Sequence, residues 1–340
     1  MSLRIKLLVA VAACLAPACG TDTENPFAQF TLTRSPSEDA VLFYVSGAWA
    51  SVPGQGRELF AVNADGSEVE RLTTCSADAQ NCDFLEVAPS ANRDRIAAVR
   101  GSLSGDPDAA ALYFMDLSRS VETVVVAAAR VQDCDWAFDD SLILYGNGVV
   151  EDLSLTQPNG DQNQKLTDTP EFRERSGRLD LGVTTAVFEG LDQTPGKSQI
   201  FRLFAPDPQP LTEGGPGSEV LPGTPYVVGS DTSPAFSPNS RLVAFRRLTG
   251  TGNGGLGTWD ILYAPTVASD PIDEPVLVAG GGGVFRGEPD WGLDGRIVFV
   301  ETDMASGESR LVTILPDGTE RQVIHVEDAG YRMGSPRWIR

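Results

Sequence analysis

The chain runs to 340 residues, longer than one hydrophobic core usually serves, and suits either two domains or one repeated unit. It carries 26 basic against 47 acidic side chains, a net charge of −21. That charge repels phosphate backbones and excludes docking onto nucleic acid, or onto anionic headgroups by charge alone; the carboxylates read first as a solubilising surface.

Residues 1–18 read as a signal peptide. Arg4 and Lys6 give a basic start, and the apolar run over 7–18 is too short to span a bilayer. The run Leu15-Ala16-Pro17-Ala18-Cys19 resembles the signal of bacterial lipoproteins, in which a Cys after a small residue is lipidated and becomes the mature N-terminus. Cys19 is the candidate and Cys14, after Val11-Ala12-Ala13, the alternative; Ala16 stands where that signal usually has Leu. An ordinary secretory signal cleaved after Ala18 is the plainer reading. Either way the expected location is the bacterial cell envelope, facing the periplasm or on the outer-membrane surface, with the lipid as the only membrane attachment. Residues 19–36 lack periodicity and read as a lipidated, flexible tether.

From residue 37 to 340 one four-stranded unit recurs six times. Its most apolar strand reads Val41-Leu42-Phe43-Tyr44-Val45, Arg95-Ile96-Ala97-Ala98-Val99, Leu142-Ile143-Leu144-Tyr145, Thr185-Ala186-Val187-Phe188, Arg241-Leu242-Val243-Ala244-Phe245 and Arg296-Ile297-Val298-Phe299-Val300. Runs apolar on both faces suit strands packed between neighbouring sheets. Three units keep an overt turn, at Asp65-Gly66, Asn159-Gly160 and Asp317-Gly318. The spacing of about 40–60 residues is that of propeller blades. The phase is telling. The chain ends at Ser335-Pro336-Arg337-Trp338-Ile339-Arg340, inside a third strand, and the missing fourth strand stands near the N-terminus at 41–45. Pairing the two ends closes a six-bladed, all-β ring of antiparallel blades and removes exposed sheet edges.

The motifs NADGSEVERLT (63–73), SPAFSPNSRLVAF (233–245), EPDWGLDGRIVFV (288–300) and LPDGTERQV (315–323) resemble the TolB-type, WD40-like β-propeller repeat. The resemblance covers nearly all of 37–340. It implies the propeller fold, and a family that includes periplasmic protein-binding propellers, propellers fused to serine peptidases, and some sugar-acid lyases.

The chemistry-bearing residues are few. His325 is the single histidine and sits in an outer strand, where a structural role is the simple reading. With no Gly-x-Ser-x-Gly elbow there is no hydrolase half, and one histidine cannot build the metal site of the lyases. The expectation is therefore no catalysis and no cofactor, with a carboxylate-only calcium site as the alternative that hard-cation chemistry permits. An aromatic opens the third strand in five units: Phe84, Trp136, Phe236, Trp291 and Trp338. Just before them stand Asp83, Asp135, Ala235, Asp290 and Arg337, which makes Asp83, Asp135, Asp290 and Arg337 the candidate binding residues at a channel mouth. Their simpler role is to bond loop amides where strands begin. Cys75 and Cys82 bracket a polar loop and are the expected disulfide, with Cys82–Cys134 between neighbouring units as its rival. The functional expectation is a monomeric, non-enzymatic envelope lipoprotein that binds a protein or peptide. The alternative is a small-ligand or calcium-binding propeller, enzymatic or not, using an acidic channel mouth.

Overall fold

The computed structural model describes residues 28–30, 40–46, 57–75, 83–91, 94–101, 110–116, 121–127, 130–147, 152–169, 172–192, 197–203, 208–222, 224, 226–251, 257–267 and 272–339. Among them every regular element is a strand, and the strands form six antiparallel blades. Blade I comprises Asp83–Pro89, Arg95–Gly101, Ala111–Asp116 and Val121–Val126; blade II, Val131–Trp136, Ile143–Asn147, Asp152–Thr156 and Gln164–Lys165. Blade III comprises Phe172–Leu179, Ala186–Asp192, Ser198–Arg202 and Gln209–Pro210; blade IV, Asp231–Phe236, Leu242–Gly250, Thr258–Pro265 and Val276–Ala279. In blade V the inner strand is split into Val284–Arg286 and Asp290–Trp291, followed by Ile297–Asp303, Ser309–Ile314 and Gln322–Glu327. The inner strands touch one another in a closed cycle, I to VI and back to I, around a central channel.

Blade VI is where the ring closes. Its inner strand Arg332–Trp338 pairs with the N-terminal Ala40–Ser46, Val41 opposite Trp338, and Glu58–Asn63 and Glu70–Arg71 complete the sheet. This is the closure that the phase of the repeats predicts. One element was not foreseen: Ala28–Phe30, inside the segment read as a tether, pairs with Thr73–Cys75.

Packing explains the apolar runs. Each seam between neighbouring blades holds one cluster of buried side chains. Phe236, Val243 and Phe245 of blade IV meet Val187, Ile200 and Leu211 at the III–IV seam, and Leu59 and Leu72 meet Phe84 and Ile96 at VI–I. The second strands are buried on both faces because each blade is sandwiched between two others. The Gly66, Gly160 and Gly318 turns adopt φ of 85°, 83° and 80°, the left-handed conformation that the Asp-Gly and Asn-Gly pairs predict.

Candidate binding site at the channel mouth

The same backbone hydrogen bond follows the inner strand in every blade, closing a hairpin in blades I to V and joining the two ends of the chain in blade VI. The donors are the N–H groups of Ser90, Ala137, Asp180, Ser237, Gly292 and Ile339, onto the carbonyls of Arg95, Leu142, Thr185, Leu242, Arg296 and Ala40. These bonds fix the equivalences. The preceding position holds Pro89, Trp136, Leu179, Phe236, Trp291 and Trp338, so the aromatic ends the inner strand instead of opening it. One residue earlier stands a ring: Ala88, Asp135, Arg178, Ala235, Asp290 and Arg337. Read around the channel it is Ala-Asp-Arg repeated twice. Before the ring, the inner strands of blades I, II, III, IV and VI shift register, and Ser176, Ser233 and Ser335 take φ of 52°, 55° and 44°. Such a bulge sharpens the twist and re-aims the side chains that follow.

The two halves of the ring bond alike. Asp135 Oδ2 accepts the N–H of Leu179 in blade III at 2.7 Å, and Asp290 Oδ2 accepts the N–H of Trp338 in blade VI at 2.8 Å. Three residues before the aromatic, Asp133 accepts the N–H of Ser176 and Glu288 accepts that of Ser335, the latter at 3.2 Å. Each carboxylate thus satisfies a backbone donor of the next blade, which a buried amide requires.

Glu86 breaks this symmetry. From blade I it accepts hydrogen bonds from Arg178 of blade III at 3.2 Å, from Arg337 of blade VI, and from the Ser335 hydroxyl at 2.6 Å. Its counterpart in blade IV is Ser233. The channel interior therefore holds four buried carboxylates, Glu86, Asp133, Asp135 and Asp290, against two buried guanidiniums, Arg178 and Arg337. Burial raises the Glu86 carboxyl above its usual range, with Arg178 and Ser335 opposing. Burial likewise lifts Asp133 to about 6, against the pull of Arg178 and the Ser176 amide. Burial disfavours charge on Arg178, but Glu86, Asp135, Asp133 and Asp290 outweigh it and hold that guanidinium firmly protonated.

Above this floor the mouth is shallow. A cavity of about 20 Å³ lies among Asp135, Asp290, Arg337, Trp136, Trp338 and Leu179, room for a water molecule and little more. Around it rise the hairpin tips. The residue after each closing amide is Ala91, Phe138, Leu181, Pro238 and Leu293 in blades I to V, all apolar. Phe138 is 42% exposed and Leu293 52% exposed.

Three of the four residues proposed from the sequence meet here: Asp135, Asp290 and Arg337. Asp83 does not. It lies at the opposite end of its strand, six residues before Pro89, where its carboxylate accepts the Arg57 N–H at 3.1 Å. Phe84 is an aromatic at the VI–I seam and not the counterpart of Trp136. The ring member of blade I is Ala88. Arg178 was missed because blade III carries Leu179 where an aromatic was sought, and Glu86 because blade I was aligned on Phe84. Counting back five residues from the first residue of the apolar strand, Thr185 or Arg95, finds both blades' closing amides.

His325 lies in the outer strand of blade V, 2.8 Å from Glu327 and beside Phe43, far from the ring in the fold. Cys134 is a free, buried thiol directed at the Ala97 carbonyl, 3.6 Å away; both expected disulfides involve Cys82. Burial, with Glu86 adding to it, pushes that thiol well up. Cys14, Cys19 and Cys82, with residues 1–18, lie outside the described residues. Among the described residues no three His, Cys, Asp or Glu side chains gather as metal ligands.

No family model and no curated protein matches the sequence. Solved structures do match the fold. TolB from Acinetobacter baumannii aligns over 89% of this chain and 68% of its own, at TM-score 0.64 and 16% identity. A chain of a nidogen/laminin complex aligns over 88% and 98%, at TM-score 0.60 and 9% identity. An oligogalacturonate lyase solved with manganese aligns over 86% and 75%, at TM-score 0.51 and 9% identity. At such identities the likeness speaks for architecture, and the architecture is the six-bladed propeller seen in TolB.

Proposed function

We propose that this chain is a non-catalytic propeller of the bacterial cell envelope that binds a protein or peptide partner across the mouth of its central channel. It acts as a monomer, held by a lipid on Cys19 or, failing that, Cys14. One observation carries the reading: the mouth has a buried, ion-paired floor beneath a rim of apolar hairpin tips. Small-molecule sites enclose hundreds of cubic ångströms, and the cavity here is about 20 Å³. Exposed apolar side chains grouped on one face suit a macromolecular surface. The TolB-type repeat carries the same expectation.

The experiment is capture from envelope extract on purified wild type and on a Phe138→Asp/Leu293→Asp variant. A defined protein held by wild type and lost by the variant supports the reading. A partner held equally by both moves the site off this face, and no partner at all removes the reading.

A further inference from the structure

The geometry points to a partner segment of defined chemistry: an apolar centre flanked by Lys or Arg, seated on the hairpin tips with its cations over an acidic rim. This rests on the partner-binding reading above and adds what the partner must be made of.

Chain topology puts two sets of turns on one face. In an antiparallel meander the turn after the inner strand and the turn before the outer strand emerge at the same end of each blade. The first set supplies the apolar tips Phe138, Leu181 and Leu293. Phe138 and Leu181 border the cavity together, from adjacent blades. The same turns carry Asp139 and Asp294, each accepting a backbone N–H two residues on, from Ser141 and Arg296 at 3.0 Å. The second set, farther from the axis, carries Asp65, Asp161 and Asp317. Asp65 and Asp317 bond the Ser67 and Thr319 amides at 2.8 and 2.9 Å. Those bonds use one face of each carboxylate and leave the side chains exposed and fixed in place. The adjacent hydroxyls and amides hold Asp65 and Asp317 below the usual carboxylate range, so they stay ionised under any physiological condition.

The apolar tips therefore stand innermost, with carboxylates beside them on the same turns and again farther out on the second set. Arg95, Arg241 and Arg296 contribute cations to this face; Arg95 pairs with Asp94, and Arg296 is engaged by Glu320 and Asp294, so the carboxylates outnumber them. A segment with an apolar core and basic flanks matches both features at once. An acidic or uniformly polar segment meets repulsion outside or an unmatched apolar centre within. Charge of this kind acts mainly on encounter rate and on discrimination between partners.

The test uses the purified protein and three synthetic peptides of equal length: an apolar centre with Lys flanks, the same centre with Glu flanks, and a Ser centre with Lys flanks. Fluorescence anisotropy is read at low and at physiological salt. The expected result is binding of the first peptide at least tenfold tighter than either of the others. Phe138→Asp/Leu293→Asp should abolish it, while Val124→Asp, an equally exposed change on the outer strand of blade I, should leave it intact. Thermal unfolding of both variants controls for folding.

Equal affinity for both Lys-flanked peptides, or binding unmoved by the tip substitutions, overturns the inference, since attraction to a polyanion alone would give that result. Should envelope capture yield a partner that depends on Phe138 and Leu293 while the Lys-flanked peptide fails to bind, the chemistry assigned here is wrong and the partner reading stands.

Discussion

Glu86 and Arg337 stand 251 residues apart in the chain and share one buried ion pair across the channel. The same carboxylate holds Arg178, so blades I, III and VI meet at a single side chain. Blade VI is the blade assembled from both ends of the chain. The pin at Glu86 thus reinforces the closure from inside the channel, while the Ala40–Ser46 strand closes it through the sheet.

Removing Glu86 leaves two buried guanidiniums without their shared counter-charge. Breaking a buried pair from one side costs on the order of 3–5 kcal/mol. Glu86→Ala is expected to lose that much in urea unfolding followed by tryptophan fluorescence. A Glu86→Ala midpoint within about 1 kcal/mol of wild type would mean the pin contributes nothing.

Asp133 gives a pH dependence of defined sign. Its neighbours are the Ser176 amide and Arg178 of blade III, Glu86 of blade I, and Gly146 of its own blade. The carboxyl rises from an ordinary 3.8 to about 6, so between those values the folded chain holds a proton that the unfolded chain has released. The stabilising contribution is complete below pH 4 and is lost as pH climbs through 6. The change is worth on the order of 3 kcal/mol. Asp133→Asn has no proton to release, so its melting temperature should gain on wild type steadily from pH 4 to pH 7. A difference that stays flat across that range refutes the shifted titration.

The fold was legible in the sequence because propeller blades repeat one local pattern. The runs at 96–99, 242–245 and 297–300 are apolar throughout since their strands are sandwiched, and the displaced strand at 41–45 gave away the closure. The site was half legible. Asp135, Asp290 and Arg337 precede a tryptophan and were found by it. Arg178 precedes a leucine, Ala88 a proline, and Asp83 an aromatic that belongs to a different position. What no single-strand pattern could reveal is Glu86, whose role depends on two arginines brought to it by the ring.

The repeat of Ala-Asp-Arg around the channel makes a paired prediction. Asp135 and Asp290 each accept one amide of the following blade, at 2.7 and 2.8 Å. Cutting either back to Ala orphans a buried N–H, at about 1–3 kcal/mol. The two losses should agree to within about 0.5 kcal/mol, and the double variant should depart from their sum, because both carboxylates border one cavity and act on Arg178. Unequal single losses would show that the two halves of the ring carry different loads.

The glycine turns separate two costs that usually travel together. Gly66 has φ of 85° and Gly295 has φ of 87°, so Ala at either position suffers the left-handed penalty of about 1–2 kcal/mol. Their surroundings differ. A Cβ on Gly295 would meet nothing within 4 Å, whereas on Gly66 it would come within 2.8 Å of the Ile324 carbonyl oxygen in blade V. The Asp65-Gly66 turn is wedged against the outer strand of the neighbouring blade, as Gly160 is against the Val125 carbonyl and Gly318 against that of Val278. Gly66→Ala must therefore also push blades V and VI apart, and overpacking of this kind adds about 1–3 kcal/mol. The expectation from urea unfolding is a modest loss for Gly295→Ala and a clearly larger one for Gly66→Ala. Equal losses would mean that the turn is free to lift off its neighbour, and that the close approach of the two blades does not help to hold the ring together.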